Sequence, residues 1–263
     1  MKKFIISSLA CFAIVIIVFF AWQTSAPPHV AARNIYALYL YENTQIQAAP
    51  ALPQEQGKQE PMQDESEQNE QNHIRQTTYE IEVLRQIYNN KEIIGNLKIE
   101  GTRINYPVTQ STDNNFYLYH DIKKQPHIAG WVFLDQINST ARPDRNTVIY
   151  GHNMMDGSRF RDILKFACPE FFAANRYITF DTIYDQQQWE IFAFYQTDIS
   201  FNYIQIIFSS QSAFGELVAE MKSRSWHDAS VEVTASDRIL TLSTCSGAGA
   251  TNYRYVLNAR LIQ

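Results

Sequence analysis

At 263 residues, with 45% hydrophobic and 13% aromatic side chains, the chain has enough apolar material to bury a core, which excludes a wholly disordered protein. Its formal charge is −5 and no run of Lys and Arg is interleaved with aromatics, so nucleic acid is excluded as a partner of the usual electrostatic kind. Three cysteines cannot all pair and Cys11 falls in an apolar N-terminal segment, so no disulfide framework is indicated.

Residues 4–22 carry no charge and are long enough to cross ~30 Å of hydrocarbon as a helix. Lys2 and Lys3 precede them, which predicts that residues 1–3 are cytoplasmic and that everything after Trp22 lies outside a single-pass cell-membrane anchor. A cleaved signal peptide is the competing reading, since Thr24-Ser25-Ala26 offers small residues. The apolar run, however, exceeds the ~7–15 residues of such peptides, and Pro27 would sit at the scissile bond. Residues 23–78 read as an extracellular polar stalk, rich in Gln, Glu, Pro and Asn from Thr44 onward and suited to spacing a domain from the lipid.

The folded domain is expected over residues 79–263. It opens on an amphipathic helix, Tyr79 to Tyr88, with Ile81, Leu84, Ile87 and Tyr88 at near-helical spacing. Eight β-rich runs follow: Ile93 to Glu100, Arg103 to Thr109, Gly130 to Leu134, Thr147 to Tyr150, Tyr177 to Asp181, Trp189 to Thr197, Arg238 to Thr244 and Arg254 to Leu261. Two helices interrupt them, one around Arg159 to Phe166 and one from Ser212 to Arg224. The second places Phe214, Leu217, Val218 and Met221 on one face and offers Ser212 as its cap. Many short strands with polar turns argue for a closed barrel or a sandwich, a mainly β fold.

The chain contains no GxGxxG, P-loop, HExxH or CxxC, so neither a cofactor nor a metal is expected. Cys245 ends an apolar strand and opens into Ser246-Gly247-Ala248-Gly249-Ala250, a setting that presents a thiol at a rim. Cys168, beside Pro169 and among Phe166, Phe171 and Phe172, reads as a packing residue. His152 follows the strand Thr147 to Tyr150 in the turn Gly151-His152-Asn153, and Arg254 opens the last strand. Each of the three, taken alone, has a structural explanation: a core thiol, a satisfied histidine, a surface ion pair.

Together they resemble the sortases, enzymes anchored at the surface of Gram-positive bacteria. The resemblance covers about Glu92 to Ile262. It is carried by Leu242-Ser243-Thr244-Cys245, by Asn146-Thr147-Val148-Ile149-Tyr150-Gly151-His152-Asn153-Met154, by Gly130-Trp131-Val132-Phe133-Leu134-Asp135, and by Phe160, Leu164 and Phe166. The Leu-Ser-Thr-Cys form, the N-terminal helix and a long helix between late strands are most similar to class B. The resemblance implies a closed eight-stranded sortase-type β-barrel with Cys245 as nucleophile, His152 as proton-transfer partner and Arg254 as oxyanion stabiliser.

It further implies a transpeptidase that cleaves a C-terminal sorting motif of exported surface proteins after Thr, forms a thioacyl-enzyme and passes it to an amine of peptidoglycan. Ser243 and Thr244 are candidates for lining the substrate groove. A pilin-polymerising enzyme with a Lys amine as acceptor is the alternative activity. A non-catalytic barrel serving as scaffold or adhesin is the alternative of another class.

Overall fold

The computed structural model describes residues 65–141, 144–245 and 252–262. These fall within one compact unit, Gln63–Gln263. Among the described residues no helix is long and apolar enough to cross a membrane; the expected anchor at 4–22 and most of the expected stalk lie outside them.

Eight strands among the described residues close into a barrel: β1 (Ile93–Ile99), β2 (Asn105–Thr109), β3 (Phe133–Leu134), β4 (Asn146–Tyr150), β5 (Tyr177–Thr182), β6 (Gln186–Asp198), β7 (Ile239–Cys245) and β8 (Tyr253–Leu261). Their order around the barrel is β1-β2-β3-β4-β7-β8-β6-β5, and β1 pairs with β5 to close it. Closure leaves no open edge to template aggregation. All eight expected runs are strands, and the architecture is the closed alternative of the two that the pattern allowed. Alternation explains the inward set in β1, where Ile93, Leu97 and Ile99 are buried and Lys98 is exposed.

Strand β6 departs from alternation: Ile191 to Tyr195 are buried without interruption. Its pairing with β8 shifts between Ile191 and Ala193. Its outer side is covered as well, since Trp226 packs edge-on against Phe194 at 5.1 Å and against Tyr255 at 6.2 Å. A strand covered on both faces reads as a continuous apolar run.

Helix α1 (Glu65–Tyr88) is longer than expected. The stalk boundary at residue 78 is therefore corrected: Thr77 is buried and the Thr78 hydroxyl donates to the Ile183 carbonyl at 2.9 Å. Residues 65–78 hold a single large apolar residue, Ile74, but also lack Pro and Gly. Gln, Glu and Arg propagate a helix readily once Ile81 and Tyr88 dock with Ile93 and Ile122.

The β2–β3 connection holds one short turn of helix, α2 (Phe116–Tyr119). The helix expected at Arg159 to Phe166 is a 3-10 helix, Arg161–Ala167, followed by α3 (Pro169–Ala174). The long helix is α4 (Gln211–Arg224), with Phe214, Leu217, Val218 and Met221 buried as expected. Its cap is Ser210, whose Oγ accepts from Ala213 N at 3.1 Å; Ser212 lies inside the first turn and its Oγ donates to Glu216 instead.

Cys168 is also corrected. It is exposed, its Sγ donating to Glu170 Oε2. The extended backbone of this residue ahead of α3 turns it outward, and the corner's apolar role is taken by Phe166 and Phe172, both buried.

Candidate active site

Three adjacent strands carry the residues singled out by sequence. β4 and β7 run parallel, with Tyr150 opposite Ser243, and Gly151 N donates to Ser243 O at 3.2 Å. β7 and β8 run antiparallel, with Cys245 opposite Arg254. His152 lies two residues past Tyr150, and Cys245 lies two past Ser243 in the same direction. The backbone register thus brings His152, Cys245 and Arg254 to one end of the barrel at one level, although they are far apart in sequence.

This register is locked from inside. Asn146, wholly buried on β4, accepts at Oδ1 from Thr241 Oγ1 (2.7 Å) on β7, and that hydroxyl accepts from Asn258 Nδ2 (2.9 Å) on β8. Asn146 Nδ2 in turn donates to the carbonyls of Tyr203 and Gln205. A slip of one residue would turn this polar row out of the barrel and leave its partners unpaired in the core. The row fixes the register of the three strands.

The turn carrying His152 is shaped by close packing. An atom at the Cβ position of Gly151 would fall 2.7 Å from the ring of buried Phe160, so the strand can end against that ring only with glycine there. Phe160 N donates to His152 O at 2.9 Å, which folds the following loop back on the histidine. Arg103 closes the far end, donating through N, Nε and Nη2 to the buried Asp162 carboxylate. Burial by itself would raise this carboxyl, but the hydrogen bonds of Arg103 and Lys165 outweigh it and hold the value at about 2. Tyr150, one residue before the turn, donates to Asp135 Oδ2 at 2.7 Å; burial and that negative charge push its phenol up.

His152 is half-buried, and its Nε2 lies 2.8 Å from the Leu118 carbonyl, just inside the end of α2. A carbonyl only accepts, so Nε2 carries hydrogen and the lone pair of the neutral ring is on Nδ1. Arg254 is half-buried at the start of β8 and donates from Nη1 to Tyr253 O at 2.8 Å. The side chain of Cys245 and the Gly-rich segment after it lie outside the described residues. Ser243 and Thr244 are 3% and 1% exposed. Ser243 Oγ bonds the Tyr203 hydroxyl at 2.9 Å, so as the barrel stands neither side chain lines an open groove; both are taken up in the wall. Among the described residues there is no cluster of three or more His, Cys, Asp or Glu suited to a metal.

A thiol position, an imidazole and a guanidinium at one strand-end level suit acyl transfer: a nucleophile, a proton carrier and a donor for a developing oxyanion. Comparison with known proteins gives the same direction. A family profile described as "Sortase domain" matches residues 97–262. The chain belongs to the sortase family. Within the family it is similar to class B: it is 40% identical to Sortase B of Listeria monocytogenes over 156 residues, 59% of this chain and 63% of that protein. It is 34% identical to Sortase B of Staphylococcus aureus over 175 residues, 66% of this chain and 72% of that one. The match thus spans a little under two thirds of the Listeria protein's length. A solved S. aureus sortase B–substrate complex superposes with a TM-score of 0.67 at 30% identity, covering 75% of this chain and 96% of that one.

Sequence reasoning missed the Leu118 carbonyl as the partner of the sortase His152. A backbone acceptor has no side-chain signature, and only the fold brings residue 118 beside residue 152. It also missed Tyr203, whose place against Ser243 depends on how the chain after β6 folds back.

Proposed function

We propose that this sortase is a membrane-anchored class B-type cysteine transpeptidase, with Cys245, His152 and Arg254 as its catalytic residues. The single observation that carries the reading is the strand register: Tyr150, two residues before His152, pairs with Ser243 on parallel strands, and Cys245, two residues past Ser243, pairs with Arg254 on antiparallel ones. The uncharged segment 4–22 behind two lysines supports an anchor with the barrel outside the cell.

In the proposed first half-reaction the Cys245 thiol passes its proton to Nδ1 of His152, and the resulting thiolate adds to the carbonyl carbon of a threonine in a C-terminal sorting motif. Arg254 donates to the oxyanion that forms, with a charge that is not lost at any physiological pH. Collapse breaks the C–N bond, and the leaving amine takes a proton from His152, leaving a thioester on Cys245. In the second half an amine of peptidoglycan adds to the thioester, His152 takes back a proton, and Cys245 departs as thiolate. Atoms balance without ATP, because the thioester holds the energy of the first bond. Solved relatives include a sortase B–substrate complex, which supports a peptide substrate for this barrel too.

The test uses the full-length protein in detergent micelles with quenched peptides carrying different sorting motifs. Cleavage of at least one peptide, abolished by Cys245→Ala, is expected. Undiminished cleavage by Cys245→Ala would refute the assignment, and no cleavage of any peptide would favour a non-catalytic scaffold.

A further inference from the structure

A closed ring of contacts surrounds the His152 loop and passes through a residue with no role so far. Arg159 has a left-handed backbone, φ 56°, rare for a residue with a long side chain. Its Nε and Nη2 both donate to the Gly130 carbonyl, at 3.0 and 2.9 Å, while its guanidinium lies 4.2 Å from the centroid of the Trp131 ring. Burial pushes the guanidinium pKa down, the mark of a charge drawn partly out of water for this contact.

Gly130 passes the constraint on. Its φ is +49°, and a Cβ there would lie 2.3 Å from Tyr117 O and 2.6 Å from Leu118 O. Glycine alone lets the backbone rest directly on the peptide whose Leu118 carbonyl meets His152 Nε2. Trp131 N donates to Tyr117 O at 2.7 Å and fastens the same two segments. The ring closes because Phe160 N, next to Arg159, holds His152 O, and Asn153 and Arg159 face each other in a β-bridge.

We propose that Arg159 is a positioning residue: by clamping Gly130 it holds the Leu118 carbonyl on His152 Nε2, and so keeps Nδ1 as the nitrogen that exchanges protons with thiol and amine. The proposal rests on the catalytic role given to His152 above. The planar fork of arginine suits the task, since it makes two hydrogen bonds to one acceptor while stacking on an indole; lysine offers a point charge on a flexible stem. Without the clamp the 117–118 segment can shift, the carbonyl no longer selects the tautomer, and part of the population carries its proton on the wrong nitrogen.

The experiment uses the full-length protein in detergent micelles, labelled with 15N-histidine, as wild type, Arg159→Met and Arg159→Lys. Methionine keeps the side chain packed on Trp131 but donates nothing, so it separates packing from positioning. Imidazole 15N shifts should show the wild-type neutral ring protonated at Nε2 and a tautomer mixture in Arg159→Met, with lysine between them. Peptide cleavage by Arg159→Met should lose roughly tenfold or more in kcat, as expected for a misplaced catalytic group. KM should change less than twofold and the thermal melt should remain cooperative. A wild-type ring protonated at Nδ1, or an Arg159→Met variant with wild-type tautomer or wild-type kcat, would overturn the proposal. The tautomer measurement needs no turnover, so an inactive wild type would count against the proposed activity while the clamp is still decided by NMR.

Discussion

Asp181 on β5 is a carboxylate that the fold tolerates at a cost, and Asp181→Asn should therefore stabilise the protein. Its Oδ1 is buried without a hydrogen-bond partner. Burial first, then the charges of Glu80 on α1 and Asp185 in the β5–β6 turn, raise its pKa to about 6 from an ordinary 3.8, against partial relief from Lys98. That difference corresponds to about 3 kcal/mol between the two protonation states. The side chain is partly open to water, so we discount the expected effect to about 1–2 kcal/mol.

The folded form prefers the protonated group, so its stabilising contribution is complete below pH 3.8 and lost as pH rises through about 6. Asparagine, a neutral mimic of the acid, should match the parent at about pH 3.5 and exceed it by the full amount above about pH 7. Urea unfolding followed by far-UV circular dichroism at both pH values measures this, with an unchanged slope as the check on two-state behaviour. For a domain of this size the gain should appear as a rise in melting temperature of roughly 2–8 °C. An equal offset at both pH values, or a loss at neutral pH, would refute the reasoning.

The opposite sign is expected at Asp162. Its pKa is held at about 2, so its contribution is present above pH 3.8 and lost as pH falls through about 2. Asp162→Asn should cost about 1–2 kcal/mol at neutral pH after allowance for the exposed side chains of Arg103 and Lys165. In the same urea assay that deficit should shrink between about pH 4 and 2; a constant deficit would assign it to packing. Cys168→Ser should remove one equivalent of rapid alkylation while leaving peptide cleavage within twofold, because Cys168 is exposed and its thiol is hydrogen-bonded to Glu170 ahead of α3, outside the β7–β8 ladder. Loss of cleavage on that change would contradict the choice of Cys245 as the nucleophile.

The strands were legible because burial on a pleated surface leaves a local record: the alternation of Ile93, Leu97 and Ile99 survives in the primary structure. So did the apolar face of α4, written at i, i+3, i+4 and i+7. The start of α1 was not, since Gln- and Glu-rich sequence is equally at home in a solvated stalk and in a helix; docking of Ile81 and Tyr88 decides between them. Cys168 misled because the aromatic residues around it pack on one another, Phe166 against Phe171 and Phe172, while the thiol at the helix cap faces outward.

By itself the sequence determined that one cysteine and one histidine end apolar strands and that an arginine begins another, together with the motifs that resemble a sortase. Tertiary structure alone decided that these ends meet. Strand order and register are long-range properties, held here by the buried Asn146, Thr241 and Asn258 across three strands. The Leu118 carbonyl that selects the His152 tautomer likewise exists as a partner only once α2 is folded against the end of β4. A backbone acceptor and a register leave no side-chain signature, so no local pattern could have announced either.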